Sequence, residues 1–308
     1  MFKHKRIAKL AVLLVLITIG ASGCKSQFEK LRASNDTARK YQTAIKLYED
    51  KRYNKALILF DDLVQKFRGR AEAEDLYFYY AYTNYYLKDY LSARHHFRTF
   101  VDNYPNSPRS EEARYMVSYC MYLESPVYTL DQSSSMKAIE ALQLYINYYP
   151  QSERAKEAAT LIDELRGRLE RKSFETAKLF LDMGDYLAAV ISFGNSARDY
   201  PDTKYDEEIA FLTAQAQFLY AKNSSEIRQS ERYNDAIDFA NEYLQTYPEG
   251  QYVKDASKIK TDAEKGITNV EALLASWEQA RKENQRMQAE DKEVQAPTSL
   301  TPNQEQNN

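Results

Sequence analysis

Very few side chains in this chain of 308 residues could do covalent or metal chemistry. It holds two cysteines, Cys24 and Cys120, and three histidines, His4, His95 and His96. Cys24 ends an ordered series. A basic start, Met1-Phe2-Lys3-His4-Lys5-Arg6, leads into an apolar run from Leu10 to Ile19, and Gly20-Ala21-Ser22-Gly23 then precede the cysteine. That order is a secretory signal, too short to span a bilayer as a helix. Its thiol therefore sits at a processing site. Cys120 lies in the apolar stretch Tyr115-Met116-Val117-Ser118-Tyr119-Cys120-Met121-Tyr122-Leu123, with no neighbouring His or Lys to activate it. It reads as a buried structural thiol. His95 and His96 are adjacent, so on a helix they point in different directions and do not readily share a metal. They read as surface or groove residues. The acidic pairs Asp61-Asp62, Glu111-Glu112 and Glu207-Glu208 diverge in the same way and read as solvated surface. No glycine-rich phosphate loop, His-Glu-x-x-His or nucleophile elbow is present. The expectation is a protein that is not an enzyme and carries no cofactor or metal.

The small residues ending on Cys24 resemble the lipobox of bacterial lipoproteins, with Ala21 where Leu is more frequent. The resemblance implies that residues 1–23 are removed, that Cys24 carries a thioether-linked diacylglycerol, and that its amine is acylated. Several acyl chains anchor stably where one would be marginal. The other reading is an ordinary signal cut near Gly23, leaving a free thiol. Lys25 follows the cysteine, in place of the Asp that retains many lipoproteins at the inner membrane, and no acidic run suggests export to the cell surface. Removing residues 1–23 takes away four of 42 basic residues and none of the 45 acidic ones, leaving net −7. Nucleic acid is excluded as a partner on that balance. With no basic run in the sequence, the expected membrane contact is the lipid.

The rest of the chain supplies elements rather than reactive groups. Only eight Gly and a charged fraction of 28% read as helical. Four segments share one ruler: Ala93 to Pro105, Ala138 to Pro150, Ala189 to Pro201 and Ala236 to Pro248 are each twelve apart, and each Pro follows a Tyr. An earlier copy through Ala56 ends at Phe67-Arg68 without the Pro. Aromatics three before the Ala (Tyr53, Tyr90, Tyr186, Tyr233) and four after it (Phe60, Phe97, Phe193) make one helical stripe. The small Ala admits a paired helix, and Pro ends the helix. Ser107, Ser152 and Thr203, two residues beyond Pro, can cap the next helix. The pattern resembles the tetratricopeptide repeat, with alanines 37, 45, 51 and 47 apart instead of about 34. The longer spacings predict loops from Glu124 to Ser133 and from Lys222, and one long helix, or two helix ends meeting near Gly167, between Pro150 and Ala189. Val253, Ala256, Ile259, Ala263, Ile267, Val270, Leu274 and Trp277 predict a long amphipathic capping helix. The expected fold is an all-α superhelical solenoid of about five such repeats. Its parts are a signal peptide (1–23), a lipidated spacer (24–35), N-terminal repeats (36–151), C-terminal repeats (152–251), the capping helix (252–288) and a disordered polar tail (289–308).

One helix is aromatic nearly all round: Leu76-Tyr77-Phe78-Tyr79-Tyr80-Ala81-Tyr82-Thr83-Asn84-Tyr85-Tyr86. With Ala81 at the helix contact, Phe78, Tyr82, Tyr85 and Tyr86 are predicted to face a concave groove, and Tyr41 and Tyr48 of the preceding repeat share it. Tyrosine offers contact area at little entropy cost and a hydroxyl for peptide backbone. The competing reading is ordinary packing between helices.

A lipobox followed by about five repeats resembles the BamD family, the tetratricopeptide-repeat lipoproteins of the outer-membrane β-barrel assembly machinery. Ala197-Arg198-Asp199-Tyr200-Pro201-Asp202-Thr203, after Gly184-Asp185-Tyr186-Leu187-Ala188-Ala189-Val190, carries the resemblance most closely, over a span of roughly 38–220. It implies a protein on the periplasmic face of the outer membrane. It would bind the POTRA domains of the barrel-forming insertase, BamA, and receive unfolded outer-membrane proteins. It also implies that Arg198 contacts the insertase. The alternative is a tetratricopeptide lipoprotein scaffold for pilus or secretin assembly, or for cell-wall synthesis. The long C-terminal helix and tail extend past what the resemblance accounts for.

Overall fold

The computed structural model describes residues 27–67 and 73–294, with side chains to residue 290. Cys24, the signal peptide and the end of the tail lie outside the described residues, as does Arg68. Twelve helices and no strand occur among them. They are α1 (Gln27–Arg32), α2 (Thr37–Glu49), α3 (Tyr53–Lys66), α4 (Ala73–Tyr86), α5 (Tyr90–Asn103), α6 (Ser110–Leu123), α7 (Ser133–Tyr148), α8 (Glu153–Asp182), α9 (Tyr186–Asp199), α10 (Asp206–Lys222), α11 (Glu226–Thr246) and α12 (Val253–Val294). The expected all-α repeat architecture is what forms. From α2 to α11 the helices follow as pairs, and α12 ends the series. The chain divides into two compact units, residues 1–168 and 169–308. The expected division at 151/152 is the start of α8, whereas the units meet within that helix.

The alanine ruler is the packing rule. Ala56, Ala93, Ala138, Ala189 and Ala236 are all completely buried, as are Phe60, Phe97, Leu142, Phe193 and Ala240 one turn on. A side chain of one carbon lets the facing helix approach, and the next residue on that face fills the space beyond it. In the first unit the fully buried set includes Leu59, Leu63, Leu76, Phe100, Tyr115 and Leu165. In the second, Phe174 and Ala177 pack against Ala189, Phe193 and Ile209, while Phe211 and Tyr243 pack against Ala256 and Ile259.

The turns within repeats are equally regular. Lys51, Lys88 and Gly184 have φ of 58°, 63° and 80°. In each, the next residue's N–H bonds back to the last helical turn: Arg52 to Leu47 O at 2.8 Å, Asp89 to Asn84 O at 3.0 Å and Asp185 to Phe180 O at 3.0 Å. A second bond runs from the positive-φ residue itself, as from Lys88 to Tyr85 O at 2.9 Å. This is the paired-bond stop of a helix C-terminus, which normally favours glycine. Asp89 and Asp185 then accept the N–H of Ser92 and Ala188 and so start the next helix.

The turns between repeats hold a connection that the sequence did not reveal. Ser107, Ser152 and Thr203 accept the N–H two residues on, at 3.1, 3.2 and 3.3 Å. Ser152 thereby caps α8 as expected, whereas Ser107 and Thr203 do so one step ahead of their helices. Each hydroxyl then donates to a glutamate on the preceding helix pair: Ser107 to Glu74 at 2.6 Å, Ser152 to Glu111 at 2.6 Å and Thr203 to Glu170 at 3.3 Å. After Pro248 the position is Gly250. A Cβ there would stand 2.5 Å from Glu207 Oε1 and 2.6 Å from the Tyr243 hydroxyl. The carboxylate takes the place of the missing hydroxyl and accepts the Gln251 N–H directly at 2.6 Å.

The insertions resolve individually. Residues 124–132 form the expected loop, held by Gln132 donating to Val127 O and Leu130 O. The expected loop from Lys222 is instead a short turn, and its remaining residues lengthen α11 at its start. The stretch near Gly167 is one continuous helix. The expected spacer contains α1, whose Phe28 and Leu31 pack on the first core. Helix α12 runs past residue 288 into the expected tail. Its stripe is buried through Ala256, Ile259, Ala263 and Val270, while Trp277 is 49% exposed. At Gly266 a Cβ would meet the Tyr233 ring at 2.6 Å, so only glycine admits that ring.

Two measurements test this reading. Lys88→Gly removes the cost of a side chain at positive φ and should raise stability by about 0.5–1 kcal/mol in urea unfolding. The second concerns Asp62, which accepts from the buried Lys40 Nζ at 2.5 Å and from Lys66 Nζ at 2.7 Å. These two bonds hold its carboxyl below the usual range. Its folded pKa is the lower one, so its contribution is complete above the unfolded value of about 3.9 and fades as pH falls through the folded one. Asp62→Asn should therefore lose less stability than wild type between neutral pH and about pH 3.

Candidate functional site: an aromatic face and an exposed arginine

The six residues expected in a groove do not share one environment. Phe78 and Tyr82 are buried, at 8% and 9% exposure, because α5 closes over them. Phe78 meets Phe100 at 5.4 Å and Tyr82 meets Phe97 edge-on at 4.9 Å. The Arg109 guanidinium, paired with Asp75, lies 5.0 Å above the Phe78 ring. These two rings support the surface from beneath. Tyr41 stacks on Phe67 at 5.6 Å.

Tyr48, Tyr85 and Tyr86 do come together. Tyr48 lies 6.0 Å from Tyr86, and Tyr85 lies 5.3 Å from Tyr86. Tyr86 is 45% exposed and stacks on Tyr53 at 4.7 Å with the planes 14° apart. Tyr85 also meets Tyr90 and Tyr119, at 6.0 and 6.3 Å. Tyr53, Tyr90 and Tyr119 thus extend the face, and the sequence reading missed them in this role. Tyr53 and Tyr90 carry a signal that could have found them: each stands three before the buried Ala of its repeat, as the first residue of its helix, and is half-buried at the edge of the helix pair.

Burial, then the nearby Tyr119 and Tyr90, pushes Tyr85 up to about 12. Burial also raises Tyr48, with Tyr86 adding to it. Burial first, then the hydrogen bond to Glu112, raises Tyr82. Tyr48 and Tyr85 therefore keep uncharged hydroxyls at physiological pH, and the face offers rings and hydroxyls suited to apolar side chains and peptide groups. Cys120 is fully buried, and burial, then Glu124, pushes its thiol up to about 12. It is an inert thiol, as expected. His96 is half-buried 4.3 Å from the Tyr80 ring. No group of three or more metal-ligating side chains occurs among the described residues.

In the second unit Arg198 occupies the last turn of α9 with its side chain 71% exposed. Its Nη2 donates to Asn195 Oδ1 at 2.9 Å, and Nε lies 3.4 Å from Asp199 Oδ1. Both partners are themselves exposed, so the guanidinium is available to a carboxylate on another molecule. Beside it a cavity of about 310 Å³ lies between α9, α10 and α11, lined by Ala197, Phe193, Ile209, Phe239 and Glu242 among others.

Paired helices, an aromatic surface and an exposed arginine define a helical-repeat protein among the described residues. Residues 33–225 match the family YfiO, described as outer membrane lipoprotein. That span is more than half of the chain, and the chain belongs to this family. It is similar to the outer membrane protein assembly factor BamD of Caulobacter vibrioides, with 22% identity over 82% of this chain and 81% of the relative. The BamD of Rickettsia prowazekii is 19% identical over 82% of this chain and 97% of its own length. That of Haemophilus influenzae is 24% identical over 70% and 84%. These relatives are named assembly factors, not enzymes.

Tyr82→Phe removes the hydroxyl that donates to Glu112 and leaves the ring in place. It should lower stability by about 1 kcal/mol in urea unfolding. The face above, read by tyrosine fluorescence, should keep its native signal.

Proposed function

We propose that this protein is an outer-membrane-anchored periplasmic scaffold of the β-barrel assembly machinery, held by lipid on Cys24. It binds the POTRA domains of a BamA-like insertase and receives unfolded outer-membrane proteins. The observation that carries the reading is the family match over residues 33–225 together with relatives named as assembly factors along most of their own length. The chemistry of the surfaces supports it. An unfolded barrel strand offers alternating apolar side chains and free peptide groups. The aromatic face of Tyr48, Tyr53, Tyr85, Tyr86 and Tyr90 offers rings and hydroxyls to both, over the packed Phe78 and Tyr82. Tyr41 lies with Phe67 and extends the same aromatic first unit. Arg198 suits a carboxylate on a folded partner. Repeats contact mainly their neighbours, so separate stretches of the chain serve separate partners.

Co-purification from detergent-solubilised outer membrane tests the division. Arg198→Glu should reduce recovery of the insertase at least tenfold, about 1.4 kcal/mol or more for a charge-assisted pair turned repulsive. Binding of an aromatic barrel-strand peptide and the thermal midpoint should be unchanged. Wild-type recovery of the insertase with peptide binding lost would reverse the assignment.

A further inference from the structure

One surface of the first unit has no part in that reading. A cavity of about 690 Å³ is bounded by α1, α2 and the start of α3. Five cations line it, Lys30, Arg39, Lys46, Arg52 and Lys55, against two acids, Asp36 and Asp50. Asp36 is already engaged, accepting the Arg39 N–H at 2.9 Å at the start of α2. All five cations are exposed. None of them is in an ion pair among the described residues, whereas Lys40 and Lys66 nearby are paired with Asp62. Lys55 stands 5.4 Å above the Phe28 ring, and Phe28, Leu31 and Leu47 give the groove apolar edges. These cations are scattered along the sequence, so no basic run marks them. Folding three helices together collects them.

Position decides the occupant. Gln27 itself lines this groove and is three residues from Cys24. Three extended residues reach about 10 Å at most. With Cys24 acylated, the groove lies at the headgroup layer of the bilayer holding its acyl chains. The excess acidic charge of the chain does not cancel the attraction, because charges beyond a screening length of about 8 Å are largely hidden from one another at physiological salt. We propose that this groove binds the phosphate groups of anionic lipids in that bilayer, as a second, electrostatic attachment. The proposal rests on the lipid-anchor reading of Cys24. Exposed cations on flexible stems reach phosphates while Phe28 and Leu31 meet the acyl boundary. Two attachments would also restrict how the first repeats turn about the tether.

The test uses the mature chain with Cys24→Ala, so that no acyl chain contributes. Sedimentation with phosphatidylcholine vesicles containing phosphatidylglycerol should retain the protein at low salt and release it at high salt. Pure phosphatidylcholine vesicles should retain little. Each cation near an anionic surface is worth about fivefold in affinity, so Lys46→Ser with Arg52→Ser should weaken binding about 25-fold. Lys30→Ser with Lys55→Ser, on other helices, should do the same and guards against one pair failing to fold. Equal binding to both vesicle types, or wild-type affinity in both folded double variants, would overturn the proposal. Palmitate labelling of the native chain checks the anchor independently. A labelled Cys24 without anionic preference sinks the groove alone, and anionic preference without label sinks the anchor alone.

Discussion

The fold depends on the approach of paired helices over a single methyl group. Ala56, Ala93, Ala138, Ala189 and Ala236 are fully buried in five successive second helices. Any larger side chain there would push the facing helix outward, and overpacking of that kind typically costs about 1–3 kcal/mol. Everything else in the repeat is measured from this contact. The residue one turn on fills the core, Tyr53 and Tyr90 one turn before reach the edge of the pair, and in four of the five copies a proline twelve on follows the end of the helix. The surfaces inherit that geometry. Tyr53 and Tyr90 are edge residues of this frame, which is why they stack beside Tyr86 and Tyr85 at the boundary of the core.

Much of the architecture was legible because side-chain size and spacing encode it directly. The helix class, the paired arrangement and the terminal long helix follow from the alanine ruler and from a stripe with helical spacing. What was not legible depends on backbone conformation and on contacts between distant residues. Lysine at positive φ carries no sequence mark, yet Lys51 and Lys88 repeat the turn made by Gly184. The glutamates that receive Ser107, Ser152 and Thr203 are ordinary helix residues until the next repeat folds against them. Phe78 and Tyr82 were expected in a groove because helical phase gives direction, but phase does not say whether a neighbouring helix covers that direction. Here α5 does. The cationic groove was hidden for the same reason, since its members come from three helices.

The distribution of chemistry fits a scaffold. The one thiol among the described residues is buried and held protonated. Tyr48, Tyr85 and Tyr86 form an aromatic cluster, and the Arg198 side chain is 71% exposed. Partly buried hydroxyls and carboxylates join successive repeats to one another.

The most direct test of that claim is photocrosslinking in living cells from single positions. A photoreactive residue at position 86 should capture nascent outer-membrane proteins, and one at position 198 should capture the insertase. Adducts with a secretin or a peptidoglycan synthase at both positions, and none with the insertase or its clients, would contradict the account.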